Sequence, residues 1–355
     1  MAIEWMDNFS QYGTTESYML NGLWAELLSD NGGTPSLETD PDGVSGGKVI
    51  KLYRGNIRRV LSAAKTTVGV GFRYYMTALP VSSALRPQII QFADADNAVQ
   101  VTLLVETTGA ISVYRGLGQS GGTLLTTTAT PVLVAGSWNH IEIKVLFSQT
   151  VGTVEVRINE EAVIALTNQD TVSTSLVECS QLRFCATSYN TSNYENGYLK
   201  DVLVWNTSGS QNNDFMGDCQ IVTILPTSDD TFSGWASTGA NGFSVIDETT
   251  PDDADYITAE VADTTAAVFA LSNLDPDITV VKGLQTVVRA LKTDGGTATL
   301  QVALNSAGDL DNGDDRPITT SATYWADISE LDPDTAAAWT PTTVNAAKLS
   351  IDRTS

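Results

Sequence analysis

Hydrophobic and polar positions alternate most regularly over residues 136–159, GSWNHIEIKVLFSQTVGTVEVRIN. Ile141, Ile143, Val145 and Phe147 share one side, and His140, Glu142 and Lys144 the other. After a break at 148–152 the pattern resumes, with Val154, Val156 and Ile158 inward and Glu155, Arg157 and Asn159 outward. Period-two alternation in β-branched residues predicts two half-buried antiparallel strands. Trp138, just before the first, is expected at the rim of the core. The same reading predicts strands over 49–53, 68–76, 89–93, 99–106, 110–114, 123–128, 132–134, 182–186 and 198–205. In 68–76, VGVGFRYYM, the glycines are expected to let another backbone come close.

The polar run 206–213, NTSGSQNN, breaks this series, and the density of acidic residues rises beyond it. A domain boundary is expected there: a first domain over 1–206, a linker over 207–216 and an acidic domain over 217–355. In the second, strands are expected over 221–225 (ended by Pro226), 242–246, 256–257, 268–271, 283–291, 298–304 and 319–326. A turn at 229–235 and a terminal element over 339–352 complete it, with the turn spacing of a second sandwich. The fold class expected is all-β: a larger N-terminal sandwich followed by a smaller one.

Charge narrows the partners. The 355 residues carry a net charge of −23, and 42% of them are hydrophobic. Residues 1–217 hold 13 basic and 20 acidic side chains, residues 218–355 hold 6 and 22. Such a chain repels phosphate backbones and anionic membranes, so no nucleic acid and no membrane insertion are expected. Cys179, Cys185 and Cys219 are odd in number and lack metal-ligand spacing, which implies free thiols. The opening MAIEWMDNF has neither basic nor apolar signal-peptide regions, so folding in a cytoplasm is expected.

Several stretches resemble one family. The run G-S-W-N-H-I-E-I-K-V with the strand after it resembles the LamG/concanavalin A-like jelly roll. IIQFADADNAVQVTLLVETTGAISVYRG (89–116) is similar to that fold's meander, and DVLVW (201–205) to its closing strand. DNFSQY (7–12) followed by Trp24 resembles the opening of LamG-like proteins of tailed bacteriophages. The stretch from Gly217, GDCQIVTILP, is similar to a C-terminal module of phage virion proteins. The resemblance implies a concanavalin A-like (LamG) jelly-roll sandwich over 1–206. It also implies a non-enzymatic virion structural protein on the particle exterior, a capsid decoration or tail-associated component. Such a protein would be made in the host bacterial cytoplasm, sit on the virion surface, and act as a homo-oligomer through other virion proteins. The alternative is a tail fibre or spike adhesin that binds a host surface glycan. A glycoside hydrolase ranks third.

Candidate chemistry is sparse. A glycosidase needs two carboxylates across a cleft; Glu38, Asp40 and Asp42 come nearest, and Pro41 and Gly43 place them in a loop. His140 is the only histidine and is expected on the surface. The resemblance implies calcium at a loop rim, with Asp94, Asp96 and Asn97, or Asp309, Asp311 and Asp315, as candidate ligands, although the second group lacks an EF-hand loop. No other cofactor is expected. Candidate contact residues are Trp5, Phe9 and Tyr12, as an anchoring arm, and Tyr189, Asn190 and Tyr194, whose loop has the composition of a protein or glycan contact.

Overall fold

The alternating strands pair as their patterns require. The computed structural model describes residues 1–29, 33–43, 47–53, 55–83, 86–118, 121–185, 197–259 and 265–355. Contacts divide the chain into two units: Met1–Phe9, Thr14–Leu20 and Trp24–Ile221, and then Ser10–Gly13, Asn21–Leu23 and Val222–Ser355.

In the first unit the strands are β1 (Ile3–Asp7), β2 (Glu26–Ser29), β3 (Ser36–Thr39), β4 (Lys48–Lys51), β5 (Gly55–Lys65), β6 (Thr67–Met76), β7 (Gln88–Ala93) and β8 (Val99–Val105). They continue with β9 (Ile111–Arg115), β10 (Thr123–Thr127), β11 (Trp138–Leu146), β12 (Gly152–Ile158), β13 (Glu161–Gln169), β14 (Cys179–Cys185) and β15 (Gly197–Trp205). Among the described residues one antiparallel sheet runs β13-β12-β11-β6-β15-β4-β3, with β1 beside β15, and the other β10-β9-β8-β7-β14-β5-β2. Two layers of antiparallel strands make a sandwich.

The expected hairpin is β11–β12. Ile141, Ile143 and Val145 lie opposite Ile158, Val156 and Val154, and on their other side opposite Phe72, Val70 and Val68 of β6. All nine are at most 4% exposed. The second sheet answers with Ile57, Phe184, Ile90, Leu103 and Val113 in one cross-strand row, each fully buried. Phe72 and Phe184 meet edge to face, with centroids 5.3 Å apart, and Phe92 and Phe147 at 6.0 Å. Gly69 serves a different purpose from the expected backbone approach: a Cβ there would stand 2.1 Å from Cε2 of Trp205, so the glycine lets the indole lie on β6.

In the second unit the strands are β16 (Pro226–Thr231), β17 (Ala236–Ser237), β18 (Ile257–Thr258), β19 (Ala267–Leu271), β20 (Leu284–Ala290), β21 (Thr299–Ser306), β22 (Asp309–Asn312), β23 (Arg316–Pro317), β24 (Thr323–Ser329) and β25 (Lys348–Arg353). A sheet ordered β16-β19-β25-β21-β22, with β23 beside β21, is joined by the ribbons β17-β18 and β20-β24. Val288 and Ala290 of one ribbon pack on Ala267, Phe269, Leu300, Val302 and Ile351 of the sheet. The second sandwich is therefore smaller. Residues 221–225 are not the expected strand; β16 begins at Pro226 and takes in the first three residues, 229–231, of the stretch expected as a turn. Proline is tolerated because it opens an edge strand, where its missing N–H breaks no ladder. The terminal element splits into a short helix α1 (Pro341–Ala346), capped by Thr340 and Thr343, and β25.

Candidate functional site

Strand pairing sorts the outward face of the larger sheet into rows. Lys51, Tyr198, Tyr75 and Trp138 lie side by side across β4, β15, β6 and β11. The ring centroids of Tyr75 are 5.5 Å from Trp138 and 5.9 Å from Tyr198. These three aromatics are half-buried, whereas the adjacent Tyr74 is 1% exposed. Alternation explains the contrast, because Tyr74 points into the sandwich and Tyr75 away from it. Trp138, expected at the core rim, therefore belongs to the outward row.

Charges border these rings. Asp40, at the end of β3, accepts the Trp138 indole N–H at 3.0 Å and is ion-paired with Lys200. Lys200 Nζ stands 4.3 Å from the Trp138 ring centroid, and Lys51 Nζ 5.9 Å from Tyr198 and 5.8 Å from Tyr53. Burial would raise the Asp40 carboxyl, but bonds to Lys200, Asp42 and Trp138 outweigh it and hold the group below its ordinary value. Asp40 is thus a fixed anion without a proton to give. Burial first, then the charge of Glu38, raises the Tyr198 phenol. Glu38 lies on β3 instead of in the expected loop. Aromatic faces beside amphoteric charges suit a ligand with apolar C–H faces and many hydroxyls.

The other half of this face is covered from within the same unit. Phe215 meets Trp205 at 6.1 Å, with Arg157 3.9 Å and Lys144 4.6 Å from its centroid. Met216 and Gly217 N–H groups donate to Glu142 Oε1 at 2.8 and 3.2 Å, and Arg73 pairs with Asp218 at 2.8 Å. Residues 215–218, which overlap the end of the expected linker, are therefore a strap fastened to the first sheet. Beneath it lie His140, 5% exposed, and Glu142, 1% exposed. His140 is not the expected surface residue: burial pulls its pKa below 6.5, Arg73 adds to that, and Asp218 and Glu160 oppose it. Burial raises Glu142, against the bonds from Met216 and Gly217. Burial also pushes Asp201 up to about 6, despite the Ile221 N–H it accepts and Arg73 nearby.

The residues singled out in the sequence are placed differently. Trp5 is 2% exposed and Phe9 0%, and both pack on Trp24, at 4.9 and 5.7 Å. Tyr12, also fully buried, meets Tyr324 at 5.7 Å in the second unit. These three aromatics complete cores and do not form an exposed anchoring arm. Both oxygens of Asp94 are committed: Oδ1 accepts Ala98 N–H at 2.9 Å, and Oδ2 accepts from Gln100 at 2.6 Å and Thr174 at 2.8 Å. It closes a turn and leaves Asp96 and Asn97 exposed. Asp309, Asp311 and Asp315 lie on or beside the β22 hairpin. Among the described residues no group of three or more His, Cys, Asp or Glu could hold a metal ion. Tyr189, Asn190 and Tyr194 lie outside the described residues. Cys179, Cys185 and Cys219 are free thiols. A cavity of about 580 Å³ is lined by Arg115, Thr123, Gln149, Asp170 and Ser173, with Arg115 already paired to Asp170.

The aromatic row escaped the sequence reading because its members come from strands far apart in the chain. The available signal was the doublet Tyr74-Tyr75, which puts one ring on each face of a strand. Among the described residues no helix is long and apolar enough to cross a membrane.

No family model matches the chain, and no curated protein matches it. Among solved structures it is similar to domain 4 of AbnA, a GH43 extracellular arabinanase from Geobacillus stearothermophilus, in complex with arabinotriose. That likeness has 16% identity and a TM-score of 0.41, covering 57% of this chain and 92% of that one. It is also similar to a carbohydrate esterase from the Shiga toxin-encoding bacteriophage phi24B, at 12% identity and TM-score 0.39, covering 57% and 97%. Alginate lyase A1-II′, of polysaccharide lyase family 7, matches at 13% identity and TM-score 0.37, over 56% and 97%. The chain spans 18% of the length of a sialidase matched at 14% identity, with TM-score 0.40 over 57% of this chain. The fold class stands on the strand pairing of the chain itself: an all-β protein built from antiparallel sandwiches.

Proposed function

We propose that the chain is a non-enzymatic glycan-contacting module carried on the exterior of a tailed-bacteriophage particle. The observation that carries the binding half is the row Tyr198–Tyr75–Trp138: three half-buried aromatics held in register across neighbouring strands, with Lys51, Lys200, Asp40 and Glu38 around them. Rigid rings on a sheet offer contact area at little cost in entropy. The non-catalytic reading is supported by Asp40, whose carboxylate is committed to Lys200 and Trp138. The particle setting is supported by the resemblance of 7–12, with Trp24, to the opening of phage LamG-like proteins, and of the stretch from Gly217 to a module of phage virion proteins. In this reading the chain is a tail fibre or spike adhesin, a homo-oligomer among other virion proteins, that meets a host surface glycan.

A glycan array tests the binding half. Trp138→Ala and Tyr75→Ala, each on the full chain, are expected to weaken any captured glycan by about tenfold or more, as truncation of an anchoring aromatic does. Glycan capture that survives both substitutions removes the row from the function. A capsid decoration is the second reading, since half-buried aromatics also serve protein contacts. Copy number per particle separates the two, hundreds for a decoration and a handful for a fibre. Turnover of any polysaccharide by the purified chain defeats both.

A further inference from the structure

Three polar side chains from distant strands converge beside the turn that joins β5 to β6. Glu4 stands on β1, Lys65 ends β5, and Asn206 follows the last residue of β15. β1 and β15 pair in one sheet and β5 belongs to the other, so the cluster bridges the two layers of the first sandwich.

One carboxylate oxygen holds the group together. Glu4 Oε1 accepts from Lys65 Nζ at 2.6 Å and from the Asn206 side-chain amide as well. Its other oxygen accepts the Ser62 hydroxyl at 2.9 Å, which fixes the orientation of the carboxylate. Asn206 is 7% exposed, and the Lys65 and Glu4 side chains 23% and 14%. The Asn206 carbonyl is engaged too, because Oδ1 accepts the Ser208 N–H at 2.6 Å. An ion pair needs only Lys65 and Glu4. It does not account for a buried carboxamide on the same oxygen, with its nitrogen on the carboxylate and its carbonyl oxygen on a backbone donor. A primary amine is a nucleophile and a carboxamide carbon an electrophile, and a carboxylate touching both nitrogens can carry protons between them. A backbone N–H on the carbonyl oxygen stabilises the negative charge that develops there when the carbon becomes tetrahedral.

We propose that Lys65 and Asn206 condense into an intramolecular isopeptide bond, with Glu4 as the acid–base group. Glu4 takes a proton from Nζ, and the freed amine attacks Cγ of Asn206. The charge of the tetrahedral intermediate falls on Oδ1, against the Ser208 N–H. The carbonyl then re-forms as the Cγ–Nδ2 bond breaks and Nδ2 is protonated. In all, two protons pass from Nζ to Nδ2 through Glu4, which ends as it began. One Nζ–Cγ bond replaces one Cγ–Nδ2 bond, ammonium leaves, and nothing is oxidised or reduced. Fixing the amine, the amide and the carboxylate together supplies the rate that a free amine and amide lack in water. The product ties the end of β5 to the end of β15 and closes β6 through β15 inside a covalent ring. A pull along the chain would then bypass those strands. The bond does not depend on the aromatic row or on its ligand.

Intact-mass spectrometry of the full chain, unfolded before measurement, tests this. The parent is expected to weigh one ammonia less than its sequence, and proteolysis to release a branched peptide joining Lys65 to Asn206. Lys65→Arg keeps a positive charge beside Glu4 without a condensable amine, and is expected at its full sequence mass. Glu4→Gln keeps the shape but loses the proton carrier, and is expected at full mass too. Circular dichroism spectra of both variants that match the parent's assign the difference to chemistry and not to misfolding. The parent should also need more urea to unfold than Lys65→Arg, since a cross-link between distant residues restricts the unfolded chain. A parent at full sequence mass overturns the proposal. So does an ammonia lost without the branched peptide, which is a succinimide, or a branch through another lysine. Cross-linking that persists in Glu4→Gln overturns the role of Glu4.

Discussion

Replacing Asp201 by Asn should stabilise the protein, and only above a definite pH. Asp201 sits at the register shift of β15 between Lys200 and Leu203, with φ 52. Asn accepts that left-handed backbone as readily as Asp does. Its amide oxygen can still take the Ile221 N–H, which reaches Asp201 Oδ1 at 3.2 Å. What changes is the charge, on a side chain only 10% exposed. Burial raises the folded pKa from 3.8 to about 6, so the native state holds the proton more tightly than the unfolded chain. Stability then falls as pH rises from the unfolded value towards about 6, and the full cost is present above that. The gap between 3.8 and about 6, at 1.36 kcal/mol per pH unit, makes the cost about 3 kcal/mol. Urea denaturation of parent and Asp201→Asn at pH 3.5, 5, 6 and 8 measures it. The two curves should coincide at the lowest pH, separate between about 4 and 6, and stay about 3 kcal/mol apart at pH 8. His140 titrates in both proteins and cancels in the difference. A difference independent of pH, or a less stable variant at pH 8, refutes the assignment.

Other perturbations probe other layers. Gly69→Ala puts a methyl into the Trp205 indole and should cost about 1–3 kcal/mol, read as a lower urea midpoint; an unchanged midpoint contradicts the packing. Trp5→Ala should cost about 3–5 kcal/mol, because Trp5 is core; an anchoring arm would lose binding with no change in stability. Burial lifts the Cys179 and Cys185 thiols to about 12, so at pH 8 native protein should leave both unmodified by a disulfide reagent that labels all three after unfolding. Rapid labelling of either in the native state counts against their burial. His140, held neutral by burial, should make the fold lose stability as pH falls through 6.5, and His140→Gln should remove that loss while a surface histidine would not.

Alternation along the chain was enough to place the β11–β12 hairpin and to say which of its residues face the core, because each strand's two faces are encoded within the strand itself. It was equally enough for β6, β7, β8, β9 and β15, and for the all-β class. Where a strand alternates weakly the reading fails: β5 carries Arg58, Arg59 and exposed Val60 among its few core residues, and only its neighbours β14 and β2 make it a strand. Periodicity also says nothing about what lies alongside. Tyr198, Tyr75 and Trp138 become neighbours through backbone pairing between distant segments, as do Arg58 and Arg183. Nor does it say what covers an outward face. His140 and Glu142 point away from the core as their positions require, yet the strap around Phe215 and Met216 buries them. Trp5, Phe9 and Tyr12 likewise show their role only once β1 is docked beside β15 and Tyr324 meets Tyr12. Side-chain direction is a local property of a strand, and burial is a property of the whole packed chain.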